Sequence, residues 1–135
     1  MKTFLLLVLF AFASDVYIPF SSAIEKAKSE NKEILLVFSG SDWCKPCISL
    51  KKNIFDQQDF LTYSDEKIIF YTADFPRELS KISDDKMLQN EALAEKYNLR
   101  GTFPYLVLLD SNQKILKQHA GAFNTFSELK LWLEN

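Results

Sequence analysis

The chain has 135 residues, room for one domain, and 47% of them are hydrophobic, with 12 Phe to build a core. That composition excludes a disordered chain and a disulfide-stapled one. A formal net charge of −2 offers no electrostatic footprint for nucleic acid or an anionic membrane surface.

The N-terminus reads as a targeting segment. Lys2 is followed by an apolar stretch from Phe4 to Ala13, with Ala11-Phe12-Ala13 as a small-x-small site before Ser14. The stretch is closed by Asp15 and falls well short of the roughly 20 residues that a helix needs to span a bilayer. Residues 1–13 are expected to be a cleaved signal peptide, 14–135 the domain, with no stable membrane span. No Cys lies near the cleavage point to carry a lipid anchor. Export to the periplasm or beyond would place the two cysteines where disulfides persist.

Ser22-Ala23-Ile24-Glu25 has the form of a capping box and predicts a helix to about Asn31, with Ala23, Ile24 and Ala27 inward. Ile34 to Phe38 is apolar without alternation, which suits a central strand covered on both faces. Gly40 to Cys47 makes a turn into a helix that runs to about Phe55, with Leu50 and Ile54 on one face. Asp59 to Ser64 adds a short helical piece. Lys67 to Ala73 is a second strand, parallel to the first if strand, helix and strand form one right-handed unit. After Asp74-Phe75-Pro76 and a polar loop, a helix is expected from Asp84 to Tyr97, with Leu88, Leu93 and Tyr97 inward. Tyr105 to Leu109 is a third strand. Asp110 to Gln113 is turn chemistry, and Lys114 to His119 returns as an antiparallel fourth strand. Thr125-Phe126-Ser127-Glu128 opens a last helix, with Phe126, Leu129 and Leu133 inward. The expected fold class is α/β: a mixed sheet of four strands or slightly more, with helices on both faces.

The chemistry is concentrated at Cys44-Lys45-Pro46-Cys47, the only two cysteines of the chain. Positions i and i+3 share a helix face, close enough for a disulfide that can form and reopen. Cys44 would sit at the helix start, where free N–H groups and the dipole favour an anion. Lys45 adds a positive charge, and both effects favour the thiolate. Pro46 lacks an N–H that a first helical turn does not need. Cys47 is expected to be the more buried partner, resolving a mixed disulfide made by Cys44. Two alternatives compete. A structural staple closing so short a ring would stabilise by only about 2 kcal/mol. A structural zinc site needs four ligands, and beyond the two Cys there is one His, His119, in a different predicted strand. No metal and no cofactor are expected. His119 itself reads as a strand-face residue.

Trp43-Cys44-Lys45-Pro46-Cys47 after a buried strand resembles the active site of the thioredoxin-like family. Tyr97-Asn98-Leu99-Arg100-Gly101-Thr102-Phe103-Pro104 resembles the cis-proline segment of that family. Phe38-Ser39-Gly40-Ser41-Asp42-Trp43-Cys44 with the later Asp74-Phe75-Pro76 is similar to exported bacterial disulfide reductases and isomerases. The resemblance implies a thioredoxin fold from about Ser21 to the C-terminus. It also implies thiol–disulfide exchange on protein substrates, with a separate redox partner. Pro104 would be cis and face the cysteines, and Phe103 and Trp43 would contact substrate; for Trp43 the competing reading is ordinary packing. Three positions depart from the family pattern. Phe38 stands where a buried acid is usual, Phe70 where a nearby Lys is usual, and Thr102 is an extra residue before the proline. The usual proton acceptor for Cys47 is therefore missing, with Asp42 or a water as the substitute considered. The missing acid also leaves room for a rival reading, a non-catalytic thioredoxin-fold binding module.

Overall fold

In the computed structural model, which describes residues 17–135, the apolar run Ile34–Phe38 forms the body of strand β1, Glu33–Ser39. β1 pairs in parallel with β2, Ile68–Asp74, and antiparallel with β3, Tyr105–Leu109. β3 pairs antiparallel with β4, Ile115–Ala120. The order of the four-stranded sheet is β2-β1-β3-β4. β1 thus has a neighbour on each side and a layer on each face, which is why its sequence shows no polar alternation. The signal peptide expected at 1–13 lies outside the described residues.

Among the described residues five α-helices cover the sheet: α1 Phe20–Glu30, α2 Lys45–Leu50, α3 Gln58–Lys67, α4 Asp84–Tyr97 and α5 Phe126–Glu134. The period-2 pleat sorts the core into two layers. Ile34, Leu36 and Phe38 of β1, with Val107 and Leu109 of β3, pack against Phe20, Ala23 and Ala27 of α1 and Leu93 and Tyr97 of α4. Leu35 and Val37, with Leu106 and Leu108, face the other way. They meet Leu50 of α2, Phe60 of α3 and Leu129 and Leu133 of α5. The mixed sheet with helices on both faces is as the sequence predicts.

The differences have local physical causes. α1 begins two residues before the expected cap at Ser22, because Pro19 is extended at the N-cap and Phe20 is already helical and buried. The cap comes from elsewhere: the Phe20 N–H donates to Gln89 Oε1 of α4 at 2.7 Å. After Leu50 the helix widens into a π-helical turn, Lys51–Phe55. The extra residue per turn brings both Ile54 and Phe55 into the core. α3 is longer than expected, and β2 and β4 each begin one residue late. In the turn, Asp110 Oδ1 accepts from the Asn112 and Lys114 N–H groups, keeping Lys114 out of the strand. In α4, Leu88 is 64% exposed and the inward stripe is Asn90, Leu93 and Tyr97. At about 100° per residue, Leu88 falls on the opposite side of the helix from Tyr97, so hydrophobicity without phase misplaced it.

Candidate active site

β1 ends at Ser39, and the chain turns sharply into α2. The N–H groups of Trp43 and Cys44 both donate to the Gly40 carbonyl, at 3.3 and 2.9 Å. Cys44 is the N-cap of α2, with Lys45 and Pro46 exposed in the first turn. Cys44 and Cys47 are joined by a disulfide. Cys44 Sγ also accepts from the Cys47 N–H at 3.3 Å, so one of the free amides at the helix start points at the sulfur of the first cysteine. In this oxidised state both residues are buried, Cys44 at 5% exposure and Cys47 at 3%. The expected contrast in burial between them is slight.

The Phe103–Pro104 peptide is cis. Pro104 is buried, and it lines a cavity of about 370 Å³ together with Cys47. The extra residue before it is absorbed by a double hydrogen bond. Asn98 Nδ2 donates to the Thr102 carbonyl at 2.9 Å, and the Thr102 N–H donates to Asn98 Oδ1 at 3.0 Å. Gly101 takes the positive φ of +63° that this detour requires.

Beside the disulfide stands an aromatic surface. Trp43 is 38% exposed. Its indole N–H donates to the Phe75 carbonyl at 2.8 Å. Phe103 meets Trp43 and Phe75 edge-on, with ring centroids 5.4 and 5.5 Å apart. The Arg77 guanidinium lies 5.9 Å from the Trp43 ring. Phe38 stacks beneath Phe75 and packs beside Tyr105. Phe38 therefore belongs to the α1/α4 side and underpins this surface. It does not line the cavity at Cys47. Phe70 closes an aromatic triad with Phe55 and Phe60 at 4.7 and 5.0 Å.

Asp42, considered as a substitute proton acceptor for Cys47, does not line the cavity at Cys47. Its carboxylate accepts from the Arg77 N–H at 2.8 Å and the Glu78 N–H at 3.0 Å. Those two backbone bonds hold it below the usual carboxylate range. It pins the loop after β2. His119 stacks on Phe123 at 4.0 Å and clusters with Trp132. Among the described residues no group of His, Cys, Asp and Glu is arranged to hold a metal ion. No helix among them is long and apolar enough to cross a membrane.

Residues that sequence reasoning left without a role are Asp74, Phe75 and Arg77. For Asp74 the signal was present in the period-2 alternation of β2, which sends Thr72 and Asp74 to the face of Phe70, toward α2. Phe75 and Arg77 lie past the strand and had no such signal.

The family model of a thioredoxin-like domain matches residues 20–135. The chain is 31% identical over 97 residues to the disulfide bond reductase DsbH of Chlamydia pneumoniae, a match covering 72% of this chain and 57% of that protein. It is 24% identical over 98 residues to the thioredoxin-related protein DsbJ of the same organism, covering 73% of this chain and 28% of the other. The chain thus matches little more than half the length of one of these relatives and about a quarter of the other. Among solved structures, a DsbH oxidoreductase superposes with a TM-score of 0.74 at 26% identity, over 99% of this chain and 94% of the other.

Proposed function

The chain belongs to the thioredoxin-like family, and from that premise we propose that it exchanges thiols and disulfides with protein substrates outside the cytosol, as a reductase or isomerase. One observation carries the reading: a disulfide at a helix start, Cys44–Cys47, with its inner cysteine and a cis-proline, Pro104, lining one cavity. A staple across so short a ring would stabilise by only about 2 kcal/mol, whereas a pair that opens does chemistry.

In the reduced state Cys44 is the nucleophile. The Cys47 N–H that points at its sulfur, the helix start and exposed Lys45 all favour the thiolate. Cys44 attacks a substrate disulfide and forms a mixed disulfide. Cys47 then attacks Cys44 Sγ, which restores Cys44–Cys47 and releases the reduced substrate. Trp43, Phe103 and the Pro104 segment offer the apolar, partly exposed surface on which an extended substrate segment rests. Reduction is favoured over oxidation by likeness to a protein named as a disulfide bond reductase. Export is supported by the leader pattern of residues 1–13. A separate redox partner would return the pair to the dithiol form.

Replacing Cys47 with Ser is expected to trap substrates on Cys44 as mixed disulfides, seen as reductant-sensitive adducts on non-reducing gels. Absence of adducts with exported proteins would sink the exchange reading. The rival, a non-catalytic binding module, rests on the missing acid at position 38, where Phe38 is buried in the core. Insulin reduction by the dithiol form decides between them, and a rate no higher than that of free dithiothreitol would favour the binding module.

A further inference from the structure

The cavity at Cys47 opens on the side of the sheet away from Trp43, and its walls are set by strand parity. Val37 and Ser39 of β1 alternate with Phe38 and so point toward α2. Thr72 and Asp74 of β2 do the same, and the register pairs Ser39 with Asp74. All four line the cavity with Cys47 and Pro104. Two carboxylates reach it. That of Asp56 is ion-paired to Lys51 at 2.8 Å, and both side chains are exposed. That of Asp74 is half-buried, and Ser41 holds it in place: the Ser41 N–H donates to Oδ1 at 2.9 Å and its hydroxyl donates to Oδ2. Lys86 of α4 also lines the cavity. A space of about 370 Å³, largely apolar but with Ser39, Thr72 and Asp74 on one wall, has room for water beside those polar groups.

We propose that Asp74 takes the proton of Cys47 through water in this cavity, and that it does the work of the buried acid which the chain lacks at position 38. The proposal rests on Cys47 being the resolving thiol. In the mixed-disulfide state the Cys47 S–H passes its proton to a water, and that water's proton passes to the Asp74 carboxylate. The Cys47 thiolate then bonds to Cys44 Sγ. The bond from Cys44 to the substrate sulfur breaks, and the substrate leaves as a thiolate that takes up a proton. The dithiol is oxidised and the substrate disulfide reduced, with no further reactant. Asp74 acts through water as a general base. Ser41 fixes its direction, and Lys86, Lys51 and Asp56 are the other charged groups that set its environment.

The test uses Ellman's disulfide on the reduced full chain. Attack by Cys44 releases the first thionitrobenzoate, and resolution by Cys47 releases the second. Asp74→Asn keeps an acceptor for the Ser41 N–H and removes the base. It is expected to slow the second release at neutral pH by at least about tenfold and to move its pH profile to the alkaline side, while the first release keeps its rate. Asp74→Glu is expected to restore the profile. A second release in Asp74→Asn with the wild-type rate and pH profile overturns the proposal. So does an equal slowing of Asp74→Asn and Asp74→Glu with the wild-type profile, which is the mark of a structural role. The probe is a small disulfide, so this result stands apart from insulin reduction, whose failure would instead remove the proposed activity on proteins.

Discussion

Gly40 has no room for a side chain. A Cβ there would overlap the Trp43 indole, 2.7 Å from Nε1. The carbonyl of the same residue closes the turn into α2, so the smallest residue sits where the strand, the turn and the tryptophan converge. Gly40→Ala is expected to lift the indole off the Phe75 carbonyl and to cost about 1–3 kcal/mol of stability. Urea unfolding followed by tryptophan fluorescence measures both, and a variant with the wild-type midpoint and emission would refute the steric account. Trp43 was legible in the sequence as the residue before Cys44. Its hydrogen bond to the Phe75 carbonyl was not, because the partner lies 32 positions away. Asp42 shows the same limit. The missing acid at position 38 made it a candidate proton acceptor, and nothing in the sequence hinted that two backbone N–H groups of the following loop bind its carboxylate.

The helices divide by where their caps come from. Ser83 accepts from the Lys86 N–H, and Thr125 from the Glu128 N–H. Both are short-range bonds, and both helix starts were legible from residue type and spacing. α1 starts without a cap from its own chain neighbours. Gln89 of α4 supplies it, accepting from the Phe20 N–H and the Tyr17 hydroxyl at 2.7 Å each and donating to the Tyr71 hydroxyl at 2.7 Å. One side chain thereby ties α1, β2 and α4 together. Gln89→Ala leaves the buried start of α1 unsatisfied, and the expected loss is about 1–3 kcal/mol. Hydrogen exchange should show faster amides confined to the first turn of α1. Uniform loss of protection, or none, would contradict a local cap. The π-helical turn after α2 is a further element-scale feature hidden from the sequence, since Leu50 and Ile54 fit an ordinary α-helix equally well.

Across the whole molecule, acid stability should fall in two windows. Burial against Phe123 and Trp132 lowers the pKa of His119 from its ordinary 6.5. The unfolded chain binds that proton more readily, so the associated stability is present above pH 6.5 and is lost as pH falls through the folded value. The Asp42 carboxylate, lowered by the Arg77 and Glu78 N–H groups, and that of Glu30, lowered by its hydrogen bond to Lys32, form the second window. Their contribution is present above the ordinary 3.8 and 4.5 and is lost at still lower pH. His119→Phe is expected to flatten the first window and leave the second. Urea midpoints taken from pH 7.5 to 3 would show it, and an unchanged slope between pH 6.5 and 5 would exclude His119 as the cause. The sequence by itself determined the α/β order, the central strand and the cysteine pair at a helix start, while the proline segment before β3 came from the family resemblance. The first three are written in local periodicity, residue type or short spacing. Only the tertiary structure decided that Phe38 supports the aromatic surface and that Gln89 caps α1. It alone brought the Asp74 carboxylate into the cavity of Cys47. Strand register and helix packing join residues 27 to 69 positions apart, and nothing in local spacing encodes which of them meet.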